Sequence, residues 1–205
     1  MHFLGLDFIV SSIFWLILVF LFIFIFKEQI KKLLYGASTF DLFLTKLKTY
    51  LKKTYPKIKF NFDIIEESKI EENPSTRKYL IADNIVTQFI ALKIDPSSYP
   101  SGTPSNIHWS GYAFHCEPNK DKLPKDWAQR KQALLARDKK VCFRCGKNIT
   151  AANMEVHMIR GLDQGGKYFL ENLLPVCKDC HKLLDHKKIN YLQIKDDLYD
   201  IVKTS

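Results

Sequence analysis

The chain has 205 residues, 46% of them hydrophobic and 26% charged, the balance of a folded protein of one or two small domains rather than of a disordered chain. Its formal net charge is +9, and the excess is local: residues 120–188 hold 16 Lys and Arg against 8 Asp and Glu, while the remainder holds 15 against 14. A basic segment of this kind fits a polyanionic partner, and a solvated lysine surface is the other way to account for it.

From the amino terminus, residues 8–26 read FIVSSIFWLILVFLFIFIF, uncharged, with only Ser11 and Ser12 polar. As a helix these 19 residues rise about 28 Å, close to the roughly 30 Å of a bilayer hydrocarbon core. Lys27, Lys31 and Lys32 follow, and Asp7 is the only charged residue before the run. The positive-inside rule then places the rest of the chain in the cytoplasm or the interior of an organelle. A cleaved signal peptide fits poorly, because the leading residues carry no positive charge and the apolar run is too long. The expectation is a single-pass membrane protein anchored through residues 8–26.

Residues 38–55 put Phe40, Phe43, Leu44, Leu47 and Leu51 on one helical face with lysines opposite, and Ser38 or Thr39 can cap them. Residues 57–65, KIKFNFDII, alternate weakly and suggest a short strand. Asn73-Pro74 starts a second helix through Tyr79, Leu80, Ile85, Phe89 and Leu92. This small, mainly helical module carries no chemical signature. Residues 95–118 are rich in Pro, Ser and Gly and read as a linker, whose aromatics (Tyr99, Trp109, Tyr112, Phe114) are expected to pack on something. Asp126 then caps a helix with Trp127, Leu134 and Leu135 on its apolar side.

Four of the five cysteines form two CxxC pairs, Cys142/Cys145 and Cys177/Cys180. Each pair makes a tight knuckle offering two thiolates, and two knuckles complete a tetrahedral zinc site. Disulfides and a redox CxxC are the rivals. Disulfides persist poorly on the reducing side of a membrane, and a redox motif needs no duplicate. Cys116 is left over as a plain thiol. Between the knuckles lie 31 residues, patterned as a strand (Met154–Ile159), a loop (Arg160–Lys167) ending at Gly165-Gly166, and a returning strand (Phe169–Val176). Lys178–Lys188 reads as a helix with Leu183 and Leu184 inward.

The stretch CFRCG…MEVHMIRGLDQGGKYFLENLLPVCKDCHKLLDH resembles an HNH endonuclease domain of the zinc-knuckle type, covering residues 142 to about 188. LPKDWAQRKQALLARDKKVC before it is similar to the lead-in helix of such domains, and Gly165-Gly166, Asn172-Leu173 and Cys177 to His181 fall in the family's register. The implied fold is α+β: a ββα-metal (HNH) domain clipped by a four-cysteine zinc site, preceded by a transmembrane helix and a small mainly helical module. The corresponding boundaries are an anchor over 1–27, the helical module over 28–95, a linker over 96–125, the HNH-like domain over 126–190 and a C-terminal helix over 191–205.

The resemblance also implies roles. His157 and His181 match family ligands of a catalytic divalent cation, and Asp185, four residues after His181, would face the same ion. That ion would be Mg²⁺, Mn²⁺ or another divalent cation, beside the structural zinc of Cys142, Cys145, Cys177 and Cys180. Asn172 would bond across the loop and set the strand residue that activates water, and His157, Asn172 and His181 form the implied catalytic set. The general-base position holds Met158, whose thioether cannot take a proton from water. Shifting the register by one would make His157 the base, but it would put Val156 at the ligand position and break the glycine spacing. The base then comes from elsewhere, with His108 and His115 as distant candidates, or cleavage is weak or absent. The implied function is hydrolysis of nucleic-acid phosphodiester bonds, DNA before RNA. The alternatives are a degenerate HNH zinc module that binds nucleic acid or protein at a membrane, and a knuckle that only folds a small interaction domain.

Overall fold

The computed structural model describes residues 3–27, 39–102, 107–112, 123–185 and 192–205, with side chains in the first segment described at Ile13 and from Trp15 onward. The protein is mostly helical, with one two-stranded antiparallel hairpin among the described residues. It divides into two compact units, residues 1–44 with Ser205, and residues 45–204.

The first unit holds α1 (Phe3–Ile25) and the start of α2 (Thr39–Thr54). Among the described residues no helix is long and apolar enough to cross a membrane, so the span expected at 8–26 is not found among them. Lys31, Lys32 and Ser38 lie outside the described residues.

In the second unit, the buried stripe of α2 continues through Leu47, Leu51 and Tyr55. The expected strand at 57–65 does not form; a turn at Pro56-Lys57 leads into residues 58–62, which join no sheet, before a single helical turn at Ile64–Glu67. A side chain takes the place of a partner strand: Asn61 N–H donates to Gln88 Oε1 (2.8 Å) and Gln88 Nε2 donates back to Asn61 O (2.8 Å). Gln88 belongs to α3 (Pro74–Ala91), which opens as its sequence dictates. Proline occupies the first turn, where no N–H is needed, and Asn73 Oδ1 accepts from Ser75 and Thr76 N–H. Ile81, Ile85 and Phe89 are buried, but Tyr79 and Leu80 are 38% and 45% exposed and lie off the buried face. α6 (Gln193–Lys203) packs along α3, with the Tyr79 and Tyr199 rings 5.4 Å apart and Tyr199 Oη donating to Asp83.

The hairpin pairs β1 (Met154–Met158) with β2 (Leu173–Cys177) in antiparallel register, His157 opposite Leu174 and Met158 opposite Leu173. β2 is shorter than expected. Leu170–Asn172 is a 3₁₀ turn, because Arg137 of α4 (Trp127–Arg137) draws the carbonyls of Leu170 and Leu173 to its guanidinium at 2.5 and 2.8 Å. Asp126 sits at the N-cap of α4, but its carboxylate pairs with Arg130 (2.8 and 2.9 Å) instead of capping. α5 (Lys178–Leu184) follows β2 directly and ends earlier than the expected Lys188; residues 186–191 lie outside the described residues. Ala133, Leu134, Tyr168, Leu170 and Leu173 form a buried cluster, and Trp109 and Tyr112 of the linker pack on it as anticipated. Phe114, His115 and Cys116 fall outside the described residues.

Candidate metal centre and active site

The four knuckle cysteines are buried free thiols whose sulfurs all lie within 4.8 Å of one another. Backbone bonds shape the first knuckle: Gly146 N–H to Cys142 O (2.9 Å) and Cys142 N–H to Lys147 O (2.7 Å). Phe143 N–H joins it to the second knuckle through Pro175 O (2.8 Å). A tetrahedral zinc with Zn–S bonds of about 2.3 Å requires sulfur–sulfur edges near 3.8 Å, and Cys145 and Cys177 stand 3.8 Å apart. Hydrogen bonds from Cys145, Cys177 and Cys180 hold Cys142 far below the ordinary thiol range as a thiolate. Hydrogen bonding to Cys142 pushes Cys145 and Cys180 up. Four sulfurs this close cannot all ionise without a cation between them, so the donor set fits zinc.

The second constellation lies where β1 meets α5. His157 Nδ1 is 3.7 Å from Asp185 Oδ1, and His181 Nε2 is 3.2 Å from Asp185 Oδ2. Asp185 follows the last residue of α5, yet the i, i+4 relation to His181 holds. The three residues singled out from the sequence therefore converge, each partly buried. Burial pushes the His157 imidazole below the ordinary histidine value; the Asp185 carboxylate opposes the shift and His181 adds to it. The set is looser than the knuckle: among the described residues, only the four cysteines bring three or more ligand atoms within one 4.8 Å sphere. Asp185 bridges the imidazoles, one oxygen to each, so a shared cation would have to part them.

Asn172 bonds across the loop. Its Oδ1 accepts from Arg160 N–H (2.8 Å), and its Nδ2 donates to Arg160 O (2.9 Å) and Lys167 O (2.8 Å), closing the loop at both ends. The loop needs its glycines: Gly165 has φ +78°, and a Cβ on Gly166 would overlap the carbonyl oxygen of Arg160. Met158 is half-buried against the Leu170–Leu173 cluster. His108 is stacked on Tyr112 (centroids 4.5 Å, planes 12° apart), packing that suits a structural ring rather than a base.

Two positioning residues were not singled out from the sequence. Arg130 and Arg137, two turns apart on α4, donate to Tyr168 O (2.5 Å) and to Leu170 O and Leu173 O, and so fix the turn that carries Asn172. The i, i+7 spacing was the available signal. No curated protein and no solved structure matches the chain. A family model described as HNH endonuclease matches residues 142–187. That match, over less than half of the chain, makes the segment carrying both cysteine knuckles, the hairpin and His157, His181 and Asp185 similar to an HNH endonuclease domain.

Proposed function

We propose that the protein is an endonuclease that hydrolyses nucleic-acid phosphodiester bonds, DNA in preference to RNA, and that its cleavage is weakened because Met158 occupies the general-base position. The observation carrying this reading is the convergence of His157, His181 and Asp185, from a strand and the end of a helix, inside the segment the family covers. His157, His181 and Asp185 would hold Mg²⁺, Mn²⁺ or another divalent cation, which would supply positive charge to a phosphate oxygen and the leaving 3′ oxygen. The protein's own part is positional. Asn172 locks the loop after β1, and the low proton affinity of His157 leaves its imidazole free to ligate at neutral pH. The local lysine and arginine excess supplies phosphate contacts.

A second reading, a catalytically degenerate HNH zinc module that binds nucleic acid or protein at a membrane, draws support from the packing of Met158 in apolar surroundings. The two separate in a nicking assay of the full chain on supercoiled DNA with and without Mn²⁺. Slow, Mn²⁺-dependent nicking that His181→Ala removes supports the enzyme. Retained DNA binding with no nicking supports the binding module.

The location is part of the same proposal: α1 attaches the protein to a membrane, with the HNH segment on the cytoplasmic or organellar interior side. Trp15–Phe26 expose large apolar side chains along the helix, from 37% at Phe26 to 76% at Phe20, a run that water tolerates poorly. Lys27 at its end sets the orientation. Recovery of the full chain in membranes after alkaline extraction is expected, and recovery in the soluble fraction would remove this part alone.

A further inference from the structure

Arg144 sits between the two cysteines of the first knuckle, where a solvated side chain would be the simple expectation, yet only 5% of it is exposed. Its Nη1 donates to Cys180 Sγ (3.4 Å). Its other nitrogens turn to the end of α3: Nη2 donates to Phe89 O (2.5 Å) and Leu92 O (2.8 Å), and Nε to Leu92 O (3.2 Å), with the guanidinium 4.9 Å from the centre of the Phe89 ring. One cation thus lies between two negative features, the carbonyl end of a helix and a sulfur cluster. Four thiolates around one zinc ion carry a net charge of about −2, so metal loading strengthens the attraction on one side of the guanidinium without weakening it on the other.

We propose that Arg144 couples zinc occupancy to the docking of α3, so that the knuckle holds the helical layer as well as the hairpin. This rests on the zinc reading of the four cysteines and is independent of the nuclease reading. Two further links run the same way. Lys57, just past α2, donates its N–H to Cys145 O (3.3 Å) and its Nζ to Phe143 O (3.0 Å). Asp179, in the second knuckle and 4% exposed, accepts from Gln193 N–H at the start of α6 (2.9 Å). Coupling of this kind is reciprocal: a docked α3 slows zinc loss, and zinc slows fraying of α3.

The test uses the full zinc-loaded chain and its Arg144→Gln variant, with zinc release to a chromophoric chelator and hydrogen exchange of the last turn of α3 as readouts. Losing a bond to a ligating sulfur typically costs about 10- to 100-fold in metal affinity, so faster release of that order is expected, together with lost protection at residues 89–92. Zinc release at the wild-type rate, with or without fraying of α3, would show a helix cap only and overturn the coupling. Should Arg144→Gln fail to fold, zinc titrated into metal-free wild type decides. Protection at residues 89–92 must rise in step with zinc, and full protection there before zinc is added overturns the proposal. A wild-type protein that holds no zinc by metal analysis would instead sink the zinc reading itself.

Discussion

Met158→His puts the missing proton acceptor back. Met158 is the last residue of β1, opposite Leu173, half-buried against the cluster that contains Leu170 and Leu173. Exchanging a thioether for an imidazole there forfeits about 1–2 kcal/mol of apolar packing, a cost the second unit should bear because the strand pairing is untouched. A positioned general base contributes about 10²- to 10⁴-fold. The side chain starts on the apolar side of the strand, so the lower end of that range is the expectation. The assay is plasmid nicking in Mn²⁺, with thermal unfolding run alongside to separate activity from stability. His157→Ala in the same background should abolish the gain. A wild-type rate that Met158→His leaves unchanged, in a folded protein, would refute the assignment of this position and with it the register.

Three further outcomes are expected. Cys177→Ser should abolish tight zinc binding and unfold residues 142–185, read by metal analysis and circular dichroism, because so small a hairpin unit cannot build a sufficient core alone. Asn172→Ala removes three hydrogen bonds, each worth about 1 kcal/mol net, so a loss of about 2–3 kcal/mol in denaturant unfolding is expected, along with faster amide exchange across residues 160–167. His157 should titrate below the roughly 6.5 of a free histidine by NMR. Because its folded-state value is depressed, the stability it contributes is present above about pH 6.5 and is lost as pH falls through the folded value.

The site was more legible than the framework around it. Cysteine spacing, the glycine pair and the i, i+4 relation of His181 and Asp185 are local patterns, and local patterns survive into the fold. The segment at 57–65 misled because its alternation called for a strand, while Gln88, far off in sequence, supplied the hydrogen bonds a strand would have given to Asn61. Asp126 misled in the same way: it stands at a cap position, but the buried Arg130 outcompetes the helix amides for its carboxylate. Arg144 could not be read at all, since nothing in a CxxC says that its interior residue will reach the end of a helix more than 50 residues earlier.

On the proposed function, His157, His181 and Asp185 together hold a divalent cation distinct from the zinc. Mn²⁺ binding to the zinc-loaded full chain, followed by electron paramagnetic resonance, tests it most directly. One bound Mn²⁺ per chain is expected, lost in His157→Ala, in His181→Ala and in Asp185→Asn while the zinc content stays unchanged. Folded, zinc-loaded protein that binds no Mn²⁺, or binds it equally well in all three variants, would contradict the account.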